Sequence, residues 1–282
     1  MRQLIEKQRN VLEVSDLHVK IKTPTGTIPL VQDIHFELKP GRVLGLVGES
    51  GSGKTVTSLS LLQLLDRKTT SIEGSIRLHD RELNELSAKE MRRIRGKEIA
   101  LIMQNPMNAF TPVYTIGNQF IETIRTHTAL TKKEAFELAA NSLHDVNLPN
   151  PLDVMRRYPF QLSGGMLQRV MIAISLCLRP SVIIADEPTT ALDVTNQLQV
   201  LQQLDFIRSE YGTSILLISH DLGVISELAD DVIVMQYGRI VEKADVYQLF
   251  DHPQHEYTKK LLHARPTLQF NERSQDFLTL LK

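Results

Sequence analysis

Val43-Leu44-Gly45-Leu46-Val47-Gly48-Glu49-Ser50-Gly51-Ser52-Gly53-Lys54-Thr55 decides the fold. Its first five residues are apolar, as in a strand buried on both faces, and Gly48 to Thr55 fill G-x-x-x-x-G-K-[ST]. An amphipathic stretch, Thr55–Leu65, comes next as the expected helix. Strand, glycine-rich turn and helix in that order make a P-loop. The glycines let successive N–H groups converge on an anion, and the helix adds its unsatisfied N-terminal donors and positive dipole end. Gly48, Glu49, Ser50, Gly51, Ser52, Gly53, Lys54, Thr55 and Val56 are therefore the candidate nucleotide-binding residues. Lys54 is expected to reach the β/γ-phosphates and the Thr55 hydroxyl to ligate Mg²⁺. ATP-type ligands are thus implied, but the loop alone does not choose among the phosphate chemistries that share it.

Working outward, Leu17, Val19 and Ile21 alternate with polar residues, Thr23-Pro24-Thr25-Gly26 turns the chain, and Ile34, Phe36 and Leu38 alternate again. This predicts an antiparallel flap in front of the buried strand. Beyond the P-loop, Gly74 precedes a short strand through Ile76 and Leu78, and Ser87 with Glu90 forms a capping box for a helix carrying Met91 and Ile94 inward. Ile99–Met103 reads as a core strand ending at Gln104, a polar side chain where α/β sheets bind ligands. From Pro106 to about Leu178 helical spacing replaces strand signals. A second capping box, Thr131 with Glu134, opens a helix predicted to bury Phe136, Ala139, Ala140 and Leu143.

Val182–Ala185 returns to buried-strand composition and delivers Asp186-Glu187, suggesting a magnesium partner followed by a base. A helix from about Val194, expected to bury Val194, Leu198, Leu201 and Ile207, stops at Gly212. Ser214–Ile218 is the next strand and ends at Ser219-His220-Asp221. Val232–Met235 and Ile240–Val241 finish the sheet.

Whole-chain properties narrow the class. At 282 residues with 42% apolar and 23% charged side chains, the composition is that of a globular protein with a sizeable core. The 33 acidic and 32 basic residues nearly balance, so nucleic acid is not suggested as a partner, and the basic cluster Lys89 to Lys97 reads as a solvated helix face. No apolar run approaches the ~18 residues of a spanning helix, and the polar start lacks a signal-peptide core. The expected site of action is the cytoplasmic face of the inner membrane, reached through a partner. The one cysteine, Cys177, rules out an internal disulfide and reads as a small core side chain.

With Gln104, Leu162-Ser163-Gly164-Gly165-Met166-Leu167-Gln168-Arg169, Asp186-Glu187 and His220 in order behind the P-loop, the chain resembles the ATP-binding cassette of ABC transporters. The resemblance covers about residues 11–265, between a polar lead (1–10) and a tail (266–282), with the helical subdomain at about 106–178. It implies an α/β fold: a RecA-like P-loop core, an N-terminal antiparallel β flap and an inserted α-helical subdomain. It also implies ATP hydrolysis with Mg²⁺. Thr55, Asp186 and Gln104 would hold the metal, Glu187 would act as general base, and His220 would donate to the γ-phosphate, making Glu187, His220 and Gln104 the catalytic set. Leu162, Ser163, Gly164, Gly165 and Met166 would close over the ATP of a second cassette, which Asp193 would also contact. A monomer is then expected to bind ATP yet hydrolyse it poorly.

The family usually stacks an aromatic on adenine from the strand where this chain has Ile21, so affinity here is expected to rest mainly on the phosphates. His18 reads as an exposed strand histidine. His252-Pro253-Gln254-His255-Glu256-Tyr257-Thr258 resembles a segment of the dipeptide, oligopeptide and nickel importer subfamily. Within it, Ile102–Pro106 with Ala109-Phe110, Met166 in the signature, and Ile183–Thr190 are most similar to nickel-importer subunits, which implies nickel, free or metallophore-bound, as cargo, with dipeptide or oligopeptide as the alternative. The implied partners are a second, different cassette, two integral-membrane permease subunits and, indirectly, an extracytoplasmic solute-binding protein. His252, His255 and His263 are expected to pack and cap rather than bind nickel. No cysteine-rich segment comes after them, so no iron–sulfur cluster is expected. A soluble cassette ATPase of translation or DNA repair is the rival from another class, but those carry paired cassettes or a coiled-coil insertion. A non-hydrolysing switch would lack Glu187 or His220.

Overall fold

The computed structural model describes residues 9–190 and 192–263. In chain order the elements are β1 (Leu12–Thr23), β2 (Gly26–Leu38), β3 (Val43–Val47), α1 (Lys54–Leu61), β4 (Thr70–Leu78), β5 (Arg81–Glu82), α2 (Ala88–Ile94) and β6 (Ile99–Ile102). Four helices come next without a strand: α3 (Ile116–His127), α4 (Lys132–Asp145), α5 (Pro151–Arg156) and α6 (Gly164–Leu176). The chain then runs β7 (Val182–Asp186), α7 (Val194–Tyr211), β8 (Ser214–Ser219), α8 (Leu222–Leu228), β9 (Asp231–Gln236), β10 (Arg239–Asp245), α9 (Val246–Asp251) and α10 (Glu256–His263).

Two sheets form. The first is antiparallel, in the order β2-β1-β4-β5. The second runs β10-β9-β3-β8-β7-β6, parallel throughout except for the β9–β10 pair at one edge. Period-two alternation divides the second sheet's side chains between two cores. Leu44, Leu46, Val182, Ile184, Leu216 and Ile218 pack with Leu12, Val14, Leu17, Ile34 and Phe36 of the first sheet. Val43, Val47, Ile183, Ala185, Ile215 and Leu217 pack instead against the helices. Burial on both sides explains why these strands read as unbroken apolar runs, whereas the flap strands alternate.

Both sequence-predicted capping boxes are present, with Ser87 and Thr131 accepting from the N–H groups of Glu90 and Glu134 and the glutamates reaching back. Met91 and Ile94 are buried as their spacing predicts. Gly212 ends α7 in the left-handed conformation, φ 65°.

Other expectations need correction. Phe136 is 39% exposed, because the inward face of α4 is set by Ala135, Ala139, Ser142 and Leu143, small enough to let neighbouring helices approach. Val194 and Leu198 are 84% and 49% exposed; α7 meets the core only from Val200, through Leu201, Leu204 and Ile207. Within the basic cluster, Arg95 is not merely solvated. Its guanidinium donates to the carbonyls of Leu62 and Gln63 just past α1, at 2.7 Å each. Cys177 is only partly buried, yet burial pushes its thiol up to about 12.

Gly74 lies inside β4 rather than before it. At φ +97° it sits where the β1–β4 register shifts opposite Asp16, and a Cβ there would stand 2.1 Å from the Asp16 carbonyl oxygen. Gly74→Ala is expected to lower stability by about 2–3 kcal/mol through backbone strain and collision, measured by denaturant unfolding. A midpoint equal to the parent's would contradict the bulge.

Candidate functional site

Parallel pairing brings the carboxyl ends of β3, β8, β7 and β6 to one edge of the core sheet. The residues just past each strand decide which groups gather there: residues 48–53 after β3, His220 after β8, Glu187 after β7 and, two residues past β6, Gln104. That edge is where open α/β sheets bind ligands.

The P-loop needs its first glycine. Gly48 has φ +153°, and a Cβ on it would lie 2.3 Å from the Met235 carbonyl oxygen of β9. Gly53, left-handed, precedes α1 without a side-chain cap, and no acidic residue occupies the helix's first turn. The N-terminal N–H groups of α1 therefore face the loop uncompensated, which suits an anion. Lys54 is buried and its Nζ bonds to the carbonyls of Gly48 and Glu49 at 2.7 and 2.9 Å. Burial pulls the Lys54 ammonium below its ordinary value, while the carboxylates of Glu187, Asp186 and Glu49 oppose that pull.

Asp186 ends β7 and is buried. Its Oδ2 accepts from the Ser58 hydroxyl at 3.3 Å, one turn along α1 from Lys54, whereas Oδ1 is buried with no hydrogen-bond donor. Burial raises the Asp186 carboxyl, against the Ser58 hydroxyl and with the neighbouring Glu187. A buried carboxylate oxygen without a donor suits a cation. The oxygen-only set of Asp186 and the Thr55 hydroxyl fits Mg²⁺ rather than a softer metal.

Glu187 adopts φ +50°, and its N–H donates to the Ile218 carbonyl of β8. Its carboxylate is held on three sides. Gln104 Nε2 donates to Oε2 at 2.7 Å, the Thr190 hydroxyl donates to the same oxygen at 2.9 Å, and His220 Nδ1 lies 3.0 Å from Oε1. A carboxylate offers about four lone-pair positions, so acceptor capacity remains for a water.

The structure thus joins Lys54, Asp186, Glu187, Gln104 and His220 in one cluster around the P-loop. It does not bring the Leu162–Met166 stretch there. Ser163 caps α6, accepting from the Met166 N–H at 3.3 Å, and with Gly164 it is exposed. Among the described residues no hydrogen bond or ion pair joins residues 162–166 to residues 48–56. Asp193 caps α7 through the Asn196 N–H, and hydrogen bonds from Asn196 hold its carboxyl below the ordinary value. Gly165 packs on Asn196, 3.3 Å from where its Cβ would be.

Sequence reasoning left several participants unassigned. Ser58 and Thr190 touch the two carboxylates, and the buried Gln168 amide reaches the Pro188 carbonyl at 2.8 Å. Ser58 could have been found from its i+4 spacing to Lys54. Tyr257 could not: its hydroxyl accepts the Glu49 N–H across 208 residues. At the chain's other metal-suited residues, His255 Nδ1 accepts the Tyr257 N–H as a local cap. Among the described residues only Asp16, His18 and Asp33 are grouped closely enough to share an ion, on the exposed flap.

The ABC transporter family model matches residues 31–190. A putative peptide import ATP-binding protein of Brucella abortus is 47% identical over 262 residues, covering 93% of this chain and 79% of that protein. The glutathione import ATP-binding protein GsiA of Shigella boydii is 45% identical over 265 residues, 92% of this chain but 42% of its own length. Among solved structures, the dimeric MJ0796, a bacterial ABC transporter cassette, superposes with a TM-score of 0.75 at 24% identity, covering 83% of this chain and 98% of that one. CbiO1 of Clostridium perfringens gives 0.72 at 24% identity, covering 86% and 92%. The chain belongs to the ABC transporter family, as one of its ATP-binding cassettes.

Proposed function

We propose that this cassette hydrolyses ATP to drive import of a peptide-like solute through partner permeases. The observation that carries the reading is the Glu187 carboxylate, gripped between Gln104 and His220 beside the buried pair of Lys54 and Asp186. Relatives named for peptide and glutathione import support the peptide cargo over the nickel that local sequence likeness suggested.

Beyond Glu49, whose own N–H is taken by the Tyr257 hydroxyl, the loop up to Val56 receives the phosphates through backbone N–H groups, with Lys54 exchanging the loop carbonyls for phosphate oxygens. Thr55, Asp186 and Gln104 would hold Mg²⁺, which would neutralise charge developing on the phosphates. Glu187 orients and deprotonates the attacking water, and Gln104, Thr190 and His220 fix its carboxylate for that task. His220, once displaced toward the γ-phosphate, donates where negative charge grows.

Exposure of Ser163 and Gly164 at an α-helix start supports closure over the nucleotide of a second cassette. That partner is a different cassette in our reading, as the subfamily implies. No helix among the described residues is long and apolar enough to cross a membrane. Work at the inner face of the membrane then runs through permease subunits supplied by a solute-binding protein. The exposed Val113, Tyr114, Phe160 and Tyr158 on the helical insertion offer the apolar seat.

Glu187→Gln preserves shape and removes the base. Turnover measured with the partner cassette is expected to fall by at least ~10²-fold while MgATP still binds; near-parental turnover would remove Glu187 from its role. Labelled dipeptide and labelled nickel uptake, compared in cells carrying the parent or Glu187→Gln, test the cargo. Dipeptide uptake is expected to collapse in the variant with nickel uptake unchanged, and the reverse result would return the cargo to nickel.

A further inference from the structure

The two backbone groups of Glu49 are held in different ways. Its carbonyl accepts from Lys54 Nζ at 2.9 Å and from the Ser52 N–H at 3.1 Å, bonds that lie wholly inside the P-loop. Its N–H instead donates to the Tyr257 hydroxyl at 2.9 Å, from a helix at the other end of the described chain. Tyr257 is only 7% exposed, so this is a seated side chain rather than a surface encounter.

The helix that presents it is itself anchored. Glu242, on β10 at the edge of the core sheet, accepts the Gln254 N–H at 2.7 Å and the His255 N–H at 3.0 Å. Those donors stand just ahead of α10, and His255 Nδ1 takes the Tyr257 N–H at 3.2 Å. Burial works to raise the Glu242 carboxyl, but Gln254, Thr258 and His255 together leave it below its ordinary value. A continuous chain of bonds thus runs from the sheet edge through Glu242 and the α10 start to the P-loop.

A lysine that reaches a phosphate must give up the carbonyls of Gly48 and Glu49. When it does, the first turn of the loop loses its internal restraint from Lys54, while the bond at the Glu49 N–H is untouched. We infer that Tyr257 is a positioning residue for the nucleotide site, its hydroxyl pinning the Glu49 peptide so that the P-loop keeps its shape after Lys54 turns to the phosphates. This rests on residues 48–56 being the nucleotide site. It adds a role for the C-terminal segment that works from within the same chain.

Tyr257→Phe keeps the ring and deletes only the acceptor. Isothermal titration of MgATP into the 282-residue chain and its Tyr257→Phe variant is paired with thermal unfolding without nucleotide and with amide exchange of peptides spanning residues 46–53. The variant is expected to bind MgATP about 3–10-fold more weakly, the scale of one hydrogen bond. Its unfolding midpoint without nucleotide should stay within about 2 °C of the parent, while exchange at residues 46–53 quickens in the MgATP complex. Equal affinity would overturn the inference, and so would an affinity loss matched by a large drop in the nucleotide-free midpoint, which marks plain loss of packing. A parent chain that binds no MgATP removes the nucleotide site itself, an outcome distinct from either.

Discussion

Everything at the candidate site depends on strands that run the same way. A parallel sheet cannot be joined by hairpins, so each strand must lead into a long crossover, and each crossover begins at the same edge. The sequence fills those four beginnings with a glycine turn, a histidine, two adjacent carboxylates and a glutamine, and Glu187 then ties the histidine and the glutamine together. Burial of the strands on both faces makes that edge stiff. A carboxylate set on stiff strands can be held at φ +50° and still keep three partners within 3.0 Å.

The flap sheet stabilises the edge from beneath. Its inward residues cover one face of the core sheet while the helices cover the other, so neither face is left to solvent. Two opposing electrostatic pulls meet in this setting. Lys54 is depressed by burial and Asp186 is raised by it, so each charge is costly without a counter-ion close by. The two mutually reduce that cost.

Much of this was legible in the residues alone. Continuous apolar runs located β3, β7 and β8, and the polar residue after each run located the site, because a buried strand can carry chemistry only at its end. Both capping boxes were legible because their bonds close within four residues. The errors came where neighbours decide. Phe136 is apolar at helical spacing, but close helix packing turns its neighbour Ala135 inward instead; Val194 and Leu198 sit where α7 has not yet reached the core. Gly74 was read as punctuation although it serves a bulge whose partner lies on another strand. Tyr257 belonged to a recognised segment, yet nothing local says that its hydroxyl ends on the P-loop, since that contact exists only after the whole sheet has formed.

The amide of Gln168 acts as a tie rod. It is buried in the first turns of α6 and fastened to the Pro188 carbonyl, the residue directly after Glu187. The last helix of the insertion and the Glu187 turn of the core are therefore tied together at that point. Movement at the start of α6 is thus felt directly at the turn that carries Glu187, far from it in the chain.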